Sequence, residues 1–399
     1  MGQYDWLFFE FRQEETHCGD FMTPYQAYFR GAGSIEGAQL YLPYRAFLKA
    51  GVIDGEPHMH RDEEYLAFVG YDVRDPFETF DAEIELWLGK SPAEMEKITI
   101  TAPTMVRIPP FYWHGPIAIK RLGKPLFFQP LLFSPRYYAV HQKWDEKEEK
   151  ITYPTLVEGM TPCVLAQNKQ CSFCGRCRGG AAAPYVDFSG QYGSANTGAF
   201  RQLVHVFHKD PTNWGDFMPP FQAYFRGSDC LPDATLYTCY RPYMKDIFLD
   251  RNPNFHSEEE YLSFVGYDMT DPIGSFDAEI EFWIGKDLHS LERHVFTKPT
   301  IVRIPPFYWH CPLQFRNLKK PVYLQVLGTR GQYGTFVPKP NGDGRLRVEY
   351  TGAVGNKMCI YEPTKRCNVC GRCILAAKKA EEQPETPEES AARYGGADI

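Results

Sequence analysis

No apolar run in this chain approaches the roughly 18 residues that a membrane-spanning helix requires. The first residues, MGQYDWLFFEFRQEE, contain neither a basic stretch nor an apolar one, so they do not read as a signal peptide. Trp6 stands where a myristoylation signal needs Ser or Thr. Basic residues are short as well: 43 Lys and Arg face 50 Asp and Glu, a net charge of −7, with no basic stripe for nucleic acid. Ser-His-Asp patterns, a P-loop and a G-x-G-x-x-G fingerprint are missing. Helical periodicity is short and weak, with Ser91–Lys97 its best stretch. These shortages predict a soluble, cytoplasmic protein whose partner is a small-molecule substrate rather than nucleic acid or membrane. A homo-oligomer remains open.

At 399 residues the chain is long enough for two or three domains. Apolar residues at 43% and charged residues at 23% mark it as globular. Aromatics reach 15%, and 33 Gly with 32 Pro favour short strands and many turns. The strongest signal is an internal repeat. EEYLAFVGYD returns as EEYLSFVGYD, FDAEIELWLGK as FDAEIEFWIGK, and VRIPPFYWH returns unchanged, each 196 residues later. Between His58 and Ala93, 21 of 36 positions match their counterparts, so the chain is two copies of one unit.

Each unit reads as β. Leu40–Leu42, Tyr65–Tyr71, Ala82–Leu88, Thr104–Ile108 and Pro125–Phe133 are strand candidates bounded by Gly, Pro and Asp. In Ala82–Leu88 the apolar positions Ala82, Ile84, Leu86 and Leu88 alternate with Glu83, Glu85 and Trp87, which predicts one face inward and one outward. Six or more short strands in such a unit suggest a sandwich or barrel.

His58 and His60 sit two apart, and Glu64 follows with the same parity, so one strand face would carry the two imidazoles. A third histidine, His114, follows the Pro109-Pro110 turn. Three imidazoles and a carboxylate suit a first-row divalent metal, Fe or Mn ahead of Zn or Ni. In the second unit His256, Glu260 and His310 remain, but His58 is replaced by Asn254, a poor ligand beside imidazole. The first unit is therefore expected to hold its metal more strongly, and the second either holds one on two His and a Glu or serves as scaffold.

This arrangement resembles the cupin superfamily. His58, His60, Glu64 and Gly70 match its first motif, and Pro109 and His114 its second. Three positions depart from it: Phe111 replaces the second-motif Gly, Ala118 stands where Asn is expected, and Gly51 is one residue early. The resemblance implies an all-β bicupin, two tandem double-stranded β-helix (jelly-roll) barrels with few helices. The implied boundaries are 1–160 and 198–356 for the barrels, 161–178 and 357–375 for a cysteine segment after each, 179–197 for a Gly/Ala/Ser-rich linker and 376–399 for a disordered tail.

Substrate-orienting groups are sought among residues present in both units. Arg30, Tyr41, Tyr44, Arg45, Arg107, Tyr112 and Gln129 recur as Arg226, Tyr237, Tyr240, Arg241, Arg303, Tyr308 and Gln325. Arg45, Tyr112 and Gln129 are the catalytic candidates: an inward Arg would clamp a carboxylate, and a Tyr would orient water or donate a proton. Glu63 and Glu259 are expected to face solvent.

Cys163, Cys171, Cys174 and Cys177 recur as Cys359, Cys367, Cys370 and Cys373 in the pattern C-x7-C-x2-C-G-x-C. Four closely spaced thiolates form a full coordination set. CxxCG resembles a zinc knuckle and the stepped CxxCGxC resembles a ferredoxin segment, so each cluster is expected to hold zinc or a [4Fe–4S] centre. Cys18, Cys230, Cys239 and Cys311 have no counterparts and read as buried or free thiols.

The resemblance to bicupins implies a metal-dependent enzyme acting on a small carboxylate, with dioxygenase and decarboxylase chemistry leading. A ligand-binding or sensory protein without catalysis is the alternative.

Overall fold

Strand Glu64–Gly70 shows in one segment how the molecule is built. All seven of its residues are buried. Leu66 and Phe68 point into an apolar interior with Ile84, Leu86, Val106 and Phe128. Tyr65, Ala67 and Val69 point the other way, into a second cluster with Tyr261, Val265 and Tyr323 of the other repeat. A strand covered on both faces reads as a near-continuous apolar run, as EYLAFVG does. The computed structural model describes residues 2–16, 18–157, 184–192, 198–212, 214–250, 253–329, 333–340 and 346–354.

Each unit is a pair of antiparallel sheets closed over its own interior, so the chain is all-β with two tandem jelly-roll barrels, as the sequence predicts. In the first barrel one sheet runs Met95–Ile100, Ala82–Gly89, Trp113–Leu122, His58–Met59, Tyr138–His141, Thr155–Val157. The facing sheet is centred on Thr104–Ile108, Glu64–Gly70 and Leu126–Leu132. In the second barrel Thr300–Ile304, Glu260–Gly266 and Val322–Gly328 face Trp309–Arg316 and Glu279–Gly285. Among the described residues no helix is long and apolar enough to cross a membrane.

The two barrels exchange strands. Phe8–Glu10, at the start of the first unit, pairs with Thr300–Ile304 of the second, Phe8 opposite Val302. Its repeat counterpart, Val204–Val206, pairs with Thr104–Ile108 of the first unit, Val204 opposite Val106. Each barrel therefore has a sheet edge completed by the other unit's leading strand, which removes an exposed edge from both.

Two sequence expectations change. Ser91–Lys97 is not helical: a turn in which Glu94 N–H donates to the Ser91 carbonyl (3.1 Å) leads into strand Met95–Ile100. Six register pairs with Ala82–Gly89 outweigh a weak helical period. The outer face of Ala82–Gly89 is also not open to water. Residues 184–192, from the predicted linker, lie across it: Tyr185 Oη donates to Glu85 Oε2 (2.8 Å), and Phe188 packs edge-on against Trp87 (5.7 Å). Lys97 Nζ donates to the other oxygen of Glu85 (3.1 Å), so a buried carboxylate is paired rather than orphaned.

Candidate metal centres

Sheet register gathers the first barrel's histidines. His114 lies directly opposite His58, and His141, on the next strand, also lies opposite His58. Cross-strand neighbours share a face, so three imidazoles stand in a row. The ring centroids of His58 are 4.0 Å from His114 and 4.9 Å from His141, the latter nearly parallel at 13°. His60 joins from two residues along, 5.0 Å from both His58 and His114. The turn between the motifs closes by Phe111 N–H donating to the His60 carbonyl (2.7 Å). Phe111 does so at φ 65°, the left-handed region that favours Gly, so the motif's departure in residue keeps its backbone shape.

The imidazoles of His58, His60 and His114 are each held at Nδ1, which leaves Nε2 available. His60 Nδ1 is 2.7 Å from the Tyr138 carbonyl, His114 Nδ1 3.4 Å from the Tyr112 carbonyl, and His58 Nδ1 3.2 Å from Asp54 Oδ2. Such partners fix tautomer and ring direction for a metal ligand. Glu64 arrives from the facing sheet, its Oε2 2.9 Å from His114 Nε2 and 3.3 Å from His60 Nε2. Those approaches are not aligned as hydrogen bonds: His60 Nε2 and Glu64 Oε2 are buried polar atoms without a hydrogen-bond partner. Orphaned polar atoms of this kind are costly unless a cation joins them. Ligand atoms of His58, His60 and His114 all lie within 4.8 Å of one another, a set suited to a first-row transition metal.

Electrostatics differ among the three imidazoles: burial lowers His58 and His114, whereas at His60 burial is overcome by the Glu64 carboxylate, which raises it. Burial and the neighbouring His114 and His141 push His58 well below the ordinary imidazole range. Burial would raise Glu64, but the His60 and His114 imidazoles hold it down at about 2. Burial likewise lowers His114, and it pushes Asp54 up to about 7.

The second barrel repeats the frame with one donor fewer. Ligand atoms of His256, Glu260 and His310 lie within 4.8 Å of one another. His256 Nδ1 is 2.7 Å from the Gly334 carbonyl and His310 Nδ1 3.2 Å from the Tyr308 carbonyl. Asn254 stands opposite His310 as His58 does opposite His114, but its Oδ1 accepts from Thr335 Oγ1 (3.0 Å). Where the first barrel has His141, the repeat has Val337. Beside these residues lies a cavity whose lining includes Arg241, Asn254, Glu260 and His310; its empty space, mouth included, is ≈ 580 Å³.

The remaining candidates scatter. Arg45 is buried at 1% exposure and its Nη1 donates to Gln26 Oε1 (2.7 Å). Its counterpart Arg241 lines the second cavity. The Tyr112 ring is not among the histidines: it packs edge-on against Phe200 (6.2 Å), and only its carbonyl reaches His114. Gln129 lies between the barrels, hydrogen-bonded to Gln325, because odd positions of its strand face the inter-barrel cluster. Tyr44 and Tyr240 are in the same place. Glu63 does not face solvent. It pairs with Arg107, whose Nη1 donates across the seam to the Pro232 carbonyl (3.0 Å); Glu259 and Arg303 repeat the arrangement against Glu36.

His141 and Asp54 were not evident from sequence. Asp54 precedes His58 by four residues, a signal that spacing offers. His141 follows no motif, and only its cross-strand register reveals it. The cysteine motifs, Cys163 to Cys177 and Cys359 to Cys373, lie outside the described residues. Cys18, Cys230, Cys239 and Cys311 form no disulfide.

No model of a known protein family matches the sequence, and no curated protein matches it. Solved structures do. A deletion mutant of Bacillus subtilis oxalate decarboxylase superposes with a TM-score of 0.50 at 10% identity, covering 83% of this chain and 78% of that one. A structure describing the substrate binding mode and reaction-specificity switch of oxalate decarboxylase gives the same values. Lactobacillus farciminis oxalate decarboxylase in complex with formate gives 0.47 at 13% identity, covering 83% and 88%. At such identities the likeness is one of fold: two jelly-roll barrels in one chain.

Proposed function

We propose that this chain is a metal-dependent bicupin enzyme of the decarboxylase type, acting on a small carboxylate. The observation that carries the reading is the convergence of His58, His60, Glu64 and His114 inside the first barrel, each imidazole anchored at Nδ1 with Nε2 left for an ion. Those four residues would hold Mn or Fe, and a divalent ion there supplies Lewis acidity toward a substrate oxygen. The chain's own contributions are separate. Asp54 and the Tyr138 carbonyl orient His58 and His60. Arg45, buried and bonded to Gln26 Oε1, is the guanidinium we assign to the substrate carboxylate. The enclosing apolar walls exclude water and strengthen every charge inside them. The fold shared with oxalate decarboxylases supports the decarboxylase type.

The test is metal analysis of anaerobically purified protein, coupled to CO2 release from a panel of short mono- and dicarboxylates. The expected result is Mn or Fe bound and turnover lost in His60→Ala with melting temperature retained. Zinc in the barrel with no CO2 from any acid would overturn it.

A further inference from the structure

The exchanged strand Phe8–Glu10 is preceded by a short turn, Asp5–Leu7, that brings the chain's leading residues onto the second barrel. There Asp5 meets Glu292 and His294 of strand Glu292–Phe296. One nitrogen of His294 and one oxygen of each carboxylate all lie within 4.8 Å of one another. The second oxygen of each carboxylate is held by backbone: Gly2 N–H donates to Asp5 Oδ2 (2.6 Å) and Gln3 N–H to Glu292 Oε2 (2.7 Å). Asp5 Oδ1 and Glu292 Oε1 are left beside the imidazole, 3.5 Å from Nδ1 and 3.0 Å from Nε2. A side chain at position 2 would displace Glu292 Oε1, so Gly2 permits the close approach.

Two carboxylates beside an imidazole would ordinarily form ion pairs. Here the His294 side chain is 10% exposed, and its Nε2 is a buried polar atom with no hydrogen-bond partner although Glu292 Oε1 is close. Phe8, from the exchanged strand, stacks on the ring (4.2 Å, 25°) and fixes its plane. Burial holds the imidazole below its ordinary range against the pull of both carboxylates, so at neutral pH the ring carries no charge to offset theirs. A buried nitrogen without a partner and two oriented oxygens call for a cation between them. The other seam shares the frame but not the donors. Ala199 N–H donates to Glu96 (3.3 Å) as Gln3 N–H does to Glu292, yet Arg201 stands for Asp5 and Ile98 for His294.

We propose that Asp5, Glu292 and His294 form a structural site for a divalent metal, with zinc the match for one imidazole and two carboxylates, and that the ion fastens the exchanged leading segment to the second barrel. The two carboxylates balance its charge. The site is separate from both barrel centres and does not rest on the decarboxylase reading.

The test is equilibrium dialysis of untagged, full-length protein, replete in barrel metal, against graded Zn2+, with bound zinc counted by elemental analysis. One comparison is the double variant Asp5→Arg, His294→Ile, which installs the other seam's residues. The second is Asp5→Asn, a near-isosteric change on an exposed turn, which stands in if the double variant fails to fold. Wild type should bind one zinc per chain more than the double variant. Asp5→Asn should need about tenfold or more zinc for the same occupancy, since even an outer partner of a ligand is worth that much. Zinc should also raise the melting temperature of wild type more than that of either variant, because an ion bound only by the folded chain stabilises it. Equal zinc uptake by wild type and the folded variants, or the same thermal shift in all of them, would overturn the proposal.

Discussion

Gln129 and Gln325, repeat counterparts 196 positions apart, donate a hydrogen bond to each other across the barrel interface, at 3.0 and 2.9 Å. Tyr44 Oη donates to Gln325 Oε1 (2.6 Å) and Tyr240 Oη to Gln129 Oε1 (3.1 Å), so the network is closed about the local two-fold. All of it is buried.

Gln129→Leu leaves the Tyr240 hydroxyl without its partner in a buried interface and removes one of two acceptors from Gln325 Nε2, which also donates to Thr238 Oγ1 (3.3 Å). The expected cost is roughly 1–3 kcal/mol, read from urea unfolding. Adding Gln325→Leu should cost less than the sum of the singles, because apolar groups then face each other. Metal content should not change in either variant; its loss at retained stability would place Gln129 in the centre after all.

Asp54 acts on the metal through His58. Asp54→Ala should lower the first barrel's metal affinity about 10–100-fold, measured by chelator competition, with the second barrel unaffected. An unchanged affinity would reduce the contact of 3.2 Å to a bystander.

Phe111 is 62% exposed and held at positive φ. Phe111→Gly should raise stability by up to about 1 kcal/mol: left-handed strain of about 1–2 kcal/mol is relieved, less the larger unfolded entropy of Gly. Phe111→Val, β-branched at the same backbone angle, should lower the melting temperature.

His205 lies on the exchanged strand opposite Met105, against Phe207 and Phe225. Burial, with His208 and Arg226 nearby, pushes it down to about 4 from the ordinary 6.5. Above pH 6.5 the imidazole is neutral folded and unfolded, so it contributes no pH dependence. Between pH 6.5 and 4 the unfolded chain takes up a proton that the folded chain refuses, and stability falls. Below about pH 4 this loss levels off. The repeat places Phe9 at the equivalent position, so His205→Phe should flatten the drop in melting temperature between about pH 7 and 4.5. An identical drop in that variant would assign the acid sensitivity elsewhere.

The barrels were legible because period-two strands, Pro and Gly boundaries and a repeat are local properties of the chain. The histidine pair was legible for the same reason, since HxH is a local pattern; Glu64 meets it from the facing sheet, which parity along one strand does not describe. Residues chosen for chemistry alone were less so. Gln129 recurs in both units because it meets its own copy, a reason that comparison of the copies cannot distinguish from catalysis. Glu63 escapes a parity argument because parity tells which face a side chain takes but not what covers that face. His141 needs three strands in register before it has any meaning.

The strand exchange also orders events during synthesis. When the first unit has been made, its edge strand Thr104–Ile108 still waits for Val204–Val206, and Phe8–Glu10 waits far longer, for a strand ending at Ile304. The nascent first half therefore carries an open hydrogen-bonding edge until Val204–Val206 is made, and a loose apolar ribbon until the ribosome has passed Ile304. During that interval the unpaired segments are the places where a nascent chain would associate wrongly.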